Sequence, residues 1–187
     1  MTLLIIGLLL WCGIHFVPSL CIRVRTGLVA KLGLPAYKGL FALLIVASIV
    51  VMAFGWQSIE PQLVYLPPLW GKHVTHVLVL LTFILFVAAK RNTNIKRVLR
   101  HPQLTGVVLW SAGHLFANGE DRSLVLFIGI GVWALLEMAL INRRVGAWVR
   151  PEPVLAAKDV VTVVGGVVLF AVLLSLHPYL TGTSLLR

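Results

Sequence analysis

The sequence predicts an all-α fold, a polytopic bundle of about six transmembrane helices that forms one domain over residues 1–187. Three observations support this prediction. The chain is 59% hydrophobic and only 12% charged, whereas soluble domains have about 45–50% apolar and about 25% charged residues. Apolar segments alternate with short polar connections, and most basic residues lie in every second connection. The lipid bilayer is the predicted solvent, because so few polar residues could not cover a globule in water.

The apolar segments define the predicted spans. A helix needs about 20 mostly apolar residues to cross the hydrocarbon core. The predicted spans are residues 2–21, 36–56, 73–89, 103–117, 124–141 and 160–176. The fourth is the shortest and could begin earlier, near Ile95. The first has no preceding basic region and no clear small-x-small cleavage site, so we expect a retained helix and not a signal peptide.

The basic residues predict the orientation of the helices. The first, third and fifth connections contain four, five and four of the 16 Lys and Arg residues. The second and fourth connections and the C-terminus contain only Lys72, Arg122 and Arg187. Short loops rich in Lys and Arg stay in the cytoplasm, so both termini are predicted on the opposite side. The same clustering argues against nucleic-acid binding, which needs a contiguous basic face in water.

Two segments share the pattern Gly-x-x-Leu-Trp-x-x-x-His. It is formed by Gly7, Trp11 and His15 in the first segment and by Gly106, Trp110 and His114 in the fourth. Positions i, i+4 and i+8 share one helix face. Because the first and fourth helices would run in opposite directions, the match is compatible with an inverted three-plus-three repeat. Four identities in nine positions of an apolar sequence can also arise by chance.

The histidines are the candidates for chemistry, since ionisable groups within hydrocarbon are costly and mark functional sites. His15 and His114 lie inside apolar segments, one turn after a Trp. The remaining four lie near segment ends. His73 and His76 are equally well explained as wet interfacial residues, His101 as a contact to lipid phosphate, and His177 is expected to be a solvated terminal residue. Histidines on the helices of a bundle can hold haem. We therefore predict non-covalent haem b contacted by Trp11, His15, Gly106, Trp110 and His114, with iron bound by the two histidines.

Helix geometry creates a difficulty for this pair. With a rise of about 1.5 Å per residue, His15 and His114 would differ in depth by about 10 Å. One iron with bonds near 2 Å cannot bind both unless helix tilt closes that gap. The alternative pairs are His114 with His76 and His15 with His101. Glu137 is the one acid within an apolar run, and we expect it to form an ion pair with His101 or an arginine, or to relay protons.

The motifs resemble those of the NnrU family. They are Arg100-His101-Pro102, Gly106, Trp110, Gly113-His114-Leu115 and Ala117-Asn118-Gly119, supported by Gly13-Ile14-His15, Trp70-Gly71-Lys72-His73 and His76. The resemblance covers nearly the whole chain. It implies a bacterial inner-membrane protein with periplasmic termini, associated with denitrification and nitric-oxide metabolism. A small apolar or nitrogen-oxide ligand and a respiratory membrane partner are implied with it.

The family is also similar to plant 15-cis-zeta-carotene isomerase, a membrane enzyme with haem b. That similarity implies haem ligation by His15 and His114 and a redox or isomerase-like activity. Where the plant enzymes have a Cys three residues before the second histidine, this chain has Ser111, which argues against ligand switching there. Two other functions stay open. One is a non-catalytic assembly partner of a respiratory reductase. The other is a phospholipid or isoprenylcysteine-type methyltransferase, since the Arg-His-Pro motif of those enzymes is present, although no second motif of theirs is found.

Overall fold

The structure is a computed structural model that describes residues 1–182 and so excludes Arg187. Within that range it contains eight helices. They are α1 (Thr2–Leu20), α2 (Ile22–Leu32), α3 (Leu34–Gln57), α4 (Gly71–Lys90), α5 (Ile95–Val98), α6 (Pro102–Ala117), α7 (Asp121–Val145) and α8 (Ala156–Thr181). The predicted polytopic helical bundle is confirmed, and every predicted apolar segment coincides with a helix.

Helices α1, α3, α4, α7 and α8 are long and apolar enough to cross a membrane. Helix α6 has only 16 residues, so it is about 24 Å long against a hydrocarbon core of about 30 Å. The prediction that this segment begins near Ile95 is wrong. Pro102 opens α6, and a proline disfavours helical backbone at the residue before it. His101 accordingly has φ −124° and ψ 65°, which separates α5 from α6.

The three basic connections lie together at one end of the bundle, called the basic end below. Its connections are residues 21–33, 91–101 and 146–155. Arg144, at the end of α7, donates to the carbonyl of Pro18 near the end of α1. The Asn94 amide donates to the carbonyl of Val154 before α8 (2.8 Å). The predicted alternation of basic and less basic connections between the two ends is therefore confirmed.

Each helix packs closely on the next in the spatial order α3, α1, α7, α6, α4 and α8. The buried core lies where α1, α3 and α7 meet, and comprises Leu4, Leu8, Met52, Ile130, Trp133 and Ala134. An inverted repeat would make the α1–α3 pair equivalent to the α6–α7 pair, and both are close pairs. It would also make α4–α6 equivalent to α8–α1, but only α4–α6 is an extensive contact. The packing follows the repeat in part.

Residues 58–70 form a strap over the end of the bundle opposite the basic end. The strap is long because α3 and α4 are not neighbours, so the chain must cross the ends of α7 and α6. The Asp121 N–H donates to the Gln62 carbonyl oxygen (2.9 Å), and the Gln62 N–H donates to Asp121 Oδ1 (3.1 Å). The Val64 N–H donates to Gly119 O (2.8 Å), and the Tyr65 hydroxyl donates to carbonyls at the end of α6.

Helices α1 and α3 approach closely at Gly55. A Cβ atom at this position would lie 2.3 Å from the Leu4 backbone nitrogen, a distance that no side-chain rotation can relieve. Small residues allow such close helix contacts in membranes, where dispersion forces and not water expulsion hold helices together. Gly39, on the same helix, has nothing within 4 Å of its Cβ position.

We predict that Gly55→Ala separates α1 from α3 and lowers the free energy of unfolding by about 1–3 kcal/mol. Gly39→Ala is the matched control and should leave stability unchanged or raise it by up to about 1 kcal/mol through helix propensity. Thermal unfolding in detergent, followed by tryptophan fluorescence, measures both. Equal melting temperatures for the two variants would contradict the close contact.

Candidate functional site

The first Trp–His pair packs against α7. The Trp11 and His15 ring centroids lie 5.5 and 4.7 Å from that of Trp133. The His15 ring also meets Phe41 of α3 edge-on, at 5.5 Å between centroids. Nδ1 of His15 lies 2.9 Å from the Trp11 carbonyl oxygen. A carbonyl only accepts, so Nδ1 carries the proton and Nε2 keeps its lone pair.

The second Trp–His pair packs against the same helix from the other side. The Trp110 and His114 ring centroids lie 5.0 and 4.6 Å from that of Phe127. Nδ1 of His114 donates to the Trp110 carbonyl oxygen at 2.8 Å, so this imidazole also keeps Nε2 free. His177 of α8 lies within electrostatic range of His114. The sequence motif therefore corresponds to a shared local arrangement on α7.

The two imidazoles do not meet. His15 contacts Trp133 and His114 contacts Phe127, and six residues of helix separate these contacts by about 9 Å along α7. Two nitrogen ligands of one iron lie about 4 Å apart, twice a bond of about 2 Å. The contacts thus place the two histidines at different depths on α7, and binding of one iron by both stays a prediction. The depth difference that the sequence indicated is thus present in the fold.

The glycines of the two motifs serve helix packing. A Cβ at Gly7 would lie 2.7 Å from the backbone nitrogen of Met52 on α3. A Cβ at Gly106 would lie 2.9 Å from the Phe86 ring and 3.2 Å from the Thr82 carbonyl on α4. Gly106, which the sequence suggested as a cofactor contact, faces α4 and not a cavity. The motif thus combines a helix contact on one side with a Trp–His pair on α7.

A cavity with a volume of about 590 Å³ lies at the basic end, among α1, α6 and α7. This basic-end cavity is within the range of about 300–1,000 Å³ that is usual for small-molecule sites. Its lining residues are His15, Ala89, Lys96, Arg100, His101, Pro102, Gln103, Leu104, Trp133, Glu137 and Ile141. It therefore combines an aromatic ring, a carboxyl group, two imidazoles and two permanent cations.

Glu137 is the buried acid of this cavity, with 7% of its surface exposed. Ser19, one turn beyond His15 on α1, donates to Oε1, while Oε2 has no hydrogen-bond partner. The expected ion pair with His101 or an arginine is wrong. Among residues 1–182 the ion pair present is Arg122–Glu120, in the connection before α7. A buried carboxylate oxygen without a donor is costly, so Oε2 is an unsatisfied acceptor on a residue that lines the cavity.

The remaining histidines are arranged differently. His101 Nε2 lies 2.8 Å from Asn142 Oδ1, so this nitrogen donates and only Nδ1 could bind a metal. His76 Nδ1 donates to the Lys72 carbonyl on α4 at 2.7 Å, and His73 is exposed. Of the two alternative pairs, His15 and His101 line one cavity together. In the described range, no three His, Cys, Asp or Glu side chains converge as ligands for a bare metal ion.

Several residues of the cavity were not identified from the sequence. Lys96 and Arg100 were assigned only to a basic connection, and Ser19, which donates to Glu137 of the cavity, was not predicted. The sequence does place Trp133 one turn before Glu137, and Trp133-x-x-x-Glu137 has the spacing of the two Trp-x-x-x-His pairs. All three aromatic residues precede an ionisable residue by one helical turn.

The fold and the cavity define a multi-pass α-helical membrane protein with a cavity at one end that is lined by histidine and basic residues. A family model described as "NnrU protein" matches residues 3–185. The chain therefore belongs to the NnrU family, and the resemblance found in the sequence is confirmed. No curated protein and no solved structure gives a significant match.

We predict that Ser19→Ala lowers the free energy of unfolding by about 1–3 kcal/mol, because Glu137 then loses its donor. Ser175→Ala is the control, since Ser175 is exposed and bonds only within its own helix. Thermal unfolding in detergent measures both variants. In a Glu137→Met background, Ser19→Ala should have little effect, and an undiminished effect there would show that the bond to Glu137 is not the cause.

Proposed function

We propose that the protein binds haem b in the basic-end cavity with His15 as the protein ligand of iron, and acts on a nitrogen oxide or a small apolar ligand. The observation that carries this proposal is the state of His15. Its Nδ1 donates to the Trp11 carbonyl, its Nε2 is free, and its ring lines a cavity of about 590 Å³. Metal-binding histidines usually have their second nitrogen bonded in this way, which orients the ring and raises its basicity.

The ligand set fits a macrocycle better than a bare ion. A structural or catalytic zinc ion needs three or four protein ligands, and no such cluster occurs among residues 1–182. A porphyrin supplies four nitrogens of its own, so one imidazole is enough to complete a site. The wall formed by Trp133 and Leu104 suits a flat apolar ring, in agreement with the apolar character of cofactor sites.

The charges of the cavity also fit haem b. Lys96 and Arg100 are the permanent cations that line it. They lie at the basic end, where the two carboxylates of haem b would meet water and positive charge. Arg binds carboxylates through two parallel N–H bonds, and Lys binds them as a point charge. The same cations would not favour an uncharged porphyrin.

Glu137 provides a proton-holding group beside the imidazole. It lines the same cavity as His15, and Ser19 holds Oε1 while Oε2 has no partner. When bound, haem b would supply a redox-active iron, suited to nitric oxide or to an isomerase-like reaction on an apolar ligand. Glu137 would donate or accept a proton, and the helices would exclude water around it.

The proposed setting is a bacterial inner membrane with the basic end in the cytoplasm and both termini in the periplasm. This orientation follows from the concentration of Lys and Arg in the three connections at that end. The association of the NnrU family with denitrification and nitric-oxide metabolism makes a nitrogen oxide the first ligand to test. The basic-end cavity would then exchange its cofactor and ligands on the cytoplasmic side.

We predict that hemin added to the purified protein gives a Soret band that is shifted from that of free hemin and saturates with protein, and that His15→Gln weakens hemin binding at least tenfold. His114→Gln should retain binding, because His114 contacts Phe127 about 9 Å away along α7. His73→Gln, at an exposed position, is the control. Absorption titration measures binding, and thermal unfolding checks that each variant is folded. Absence of a saturable Soret shift with the wild type would overturn the proposal and favour the assembly-partner function. Equal losses for His15→Gln and His114→Gln would overturn the assignment of His15.

We further predict that Lys96→Gln with Arg100→Gln weakens hemin binding at least about tenfold, since a single charge-assisted hydrogen bond contributes about that factor and both cations are removed. The matched control is Lys90→Gln with Arg91→Gln, which removes equal charge from exposed positions outside the cavity. The dimethyl ester of hemin, which lacks carboxylates, should bind both double variants equally. Equal weakening of hemin binding by both double variants would show a general charge effect and contradict the carboxylate contact.

A further inference from the structure

A second, smaller pocket lies at the basic end, at the corner formed by α1, α2 and α3. Its volume is about 170 Å³, and its lining residues are Pro18, Arg25, Tyr37, Lys38 and Phe41. None of these residues lines the basic-end cavity. The corner depends on Gly33, whose φ of 79° is accessible mainly to glycine and lets α3 follow α2 directly. We call this the α1–α3 corner pocket.

Tyr37 is the residue of this pocket that lacks a partner. Only 8% of its surface is exposed, and its hydroxyl group makes no hydrogen bond in the structure. A buried hydroxyl without a partner is destabilising, and tyrosines in such positions usually bond through their oxygen. The Tyr37 hydroxyl therefore calls for a hydrogen-bond acceptor that the described chain does not provide.

Two cations flank this hydroxyl-bearing ring. The Arg25 guanidinium carbon lies 5.9 Å from the centre of the Tyr37 ring, and Lys38 follows Tyr37 in the chain and lines the same pocket. Neither cation has a carboxylate partner among the described residues, where the ion pair present is Arg122–Glu120. Of the chain's six acidic residues, the first in sequence is Glu60, so α1, α2 and α3 contain none. The pocket therefore has positive charge without a counter-anion.

The surface of α2 indicates where the missing anion comes from. This helix has no buried residue, and its apolar side chains Ile22, Val24 and Leu32 are 44%, 54% and 47% exposed. Exposed apolar residues mixed with Arg and Lys are typical of a helix that lies in the interface between headgroups and acyl chains. Beyond the pocket, α3 exposes Leu40 and Leu44 to lipid. Headgroup and acyl chain would thus each meet a matching surface.

We propose that the α1–α3 corner pocket binds the phosphate group of an anionic phospholipid. The phosphate oxygens accept hydrogen bonds from the Arg25 guanidinium, the Lys38 ammonium and the Tyr37 hydroxyl, and an acyl chain packs on Phe41 and the adjoining face of α3. Charge-assisted bonds to phosphate are short and strong, and Arg can make two of them in parallel. The proposal does not depend on haem binding.

The test compares lipid binding by the full-length protein. Delipidated protein in detergent is titrated with phosphatidylglycerol, phosphatidylcholine or inorganic phosphate, and bound species are counted by native mass spectrometry. We expect retention of one phosphatidylglycerol, at least fivefold weaker retention of phosphatidylcholine, and none of inorganic phosphate.

Arg25→Gln with Lys38→Gln should weaken phosphatidylglycerol binding about tenfold. The control, Arg23→Gln with Lys31→Gln, removes equal charge from α2 outside the pocket. Equal weakening by both double variants would overturn the site, and binding of inorganic phosphate alone would overturn the lipid assignment.

Tyr37→Phe separates ligand binding from a structural role. Because the hydroxyl has no partner in the protein, its removal should leave the melting temperature of the delipidated protein unchanged or raise it. The same change should weaken phosphatidylglycerol binding severalfold and reduce the rise in melting temperature that this lipid produces. A Tyr37→Phe variant that melts lower without lipid, yet binds phosphatidylglycerol as tightly as wild type, would overturn the proposal.

Discussion

The contact of α1 and α6 with opposite sides of α7 organises the bundle. Each of the two helices places a Trp–His pair on α7, through Trp133 on one side and Phe127 on the other. On its far side each helix uses a glycine to approach the next helix, α3 or α4. Because membrane helices gain little from expelling lipid, such close contacts and aromatic pairs must hold them together. The Gly-x-x-Leu-Trp-x-x-x-His motif therefore makes the same two kinds of helix contact in α1 and in α6.

Polar side chains also bond neighbouring helices to each other. The Thr82 hydroxyl donates to the carbonyl of Gly106 (2.9 Å), and the Thr75 hydroxyl donates to that of Gly113 (2.7 Å), so each ties α4 to α6. Seven buried polar atoms nevertheless have no hydrogen-bond partner among the described residues, those of Trp11, Tyr37, Arg97, Ser111, Ser123, Trp133 and Glu137. Three of these residues, Tyr37, Trp133 and Glu137, line a cavity.

The sequence was sufficient for the helices and for the two ends of the bundle, because hydropathy and charge are local properties of the chain. It also identified His15, since an ionisable residue deep in an apolar run is rare. It could not identify the neighbours of His15. Lys96 and Arg100 reach the cavity only because α6 packs on α7 and begins at Pro102, and that spatial order depends on side-chain fit between helices. The sequence paired His15 with His114 because the two share a motif, although helix geometry already indicated their difference in depth.

The strap over the end opposite the basic end makes the two ends of the bundle different. Residues 58–70 cross the ends of α6 and α7 and are tied to them by backbone hydrogen bonds at Val64 and Gln62. At the basic end, by contrast, Lys96, Arg100 and His101 of the connection between α4 and α6 line the cavity itself. A helix connection thus serves packing at one end of the bundle and forms part of a cavity wall at the other.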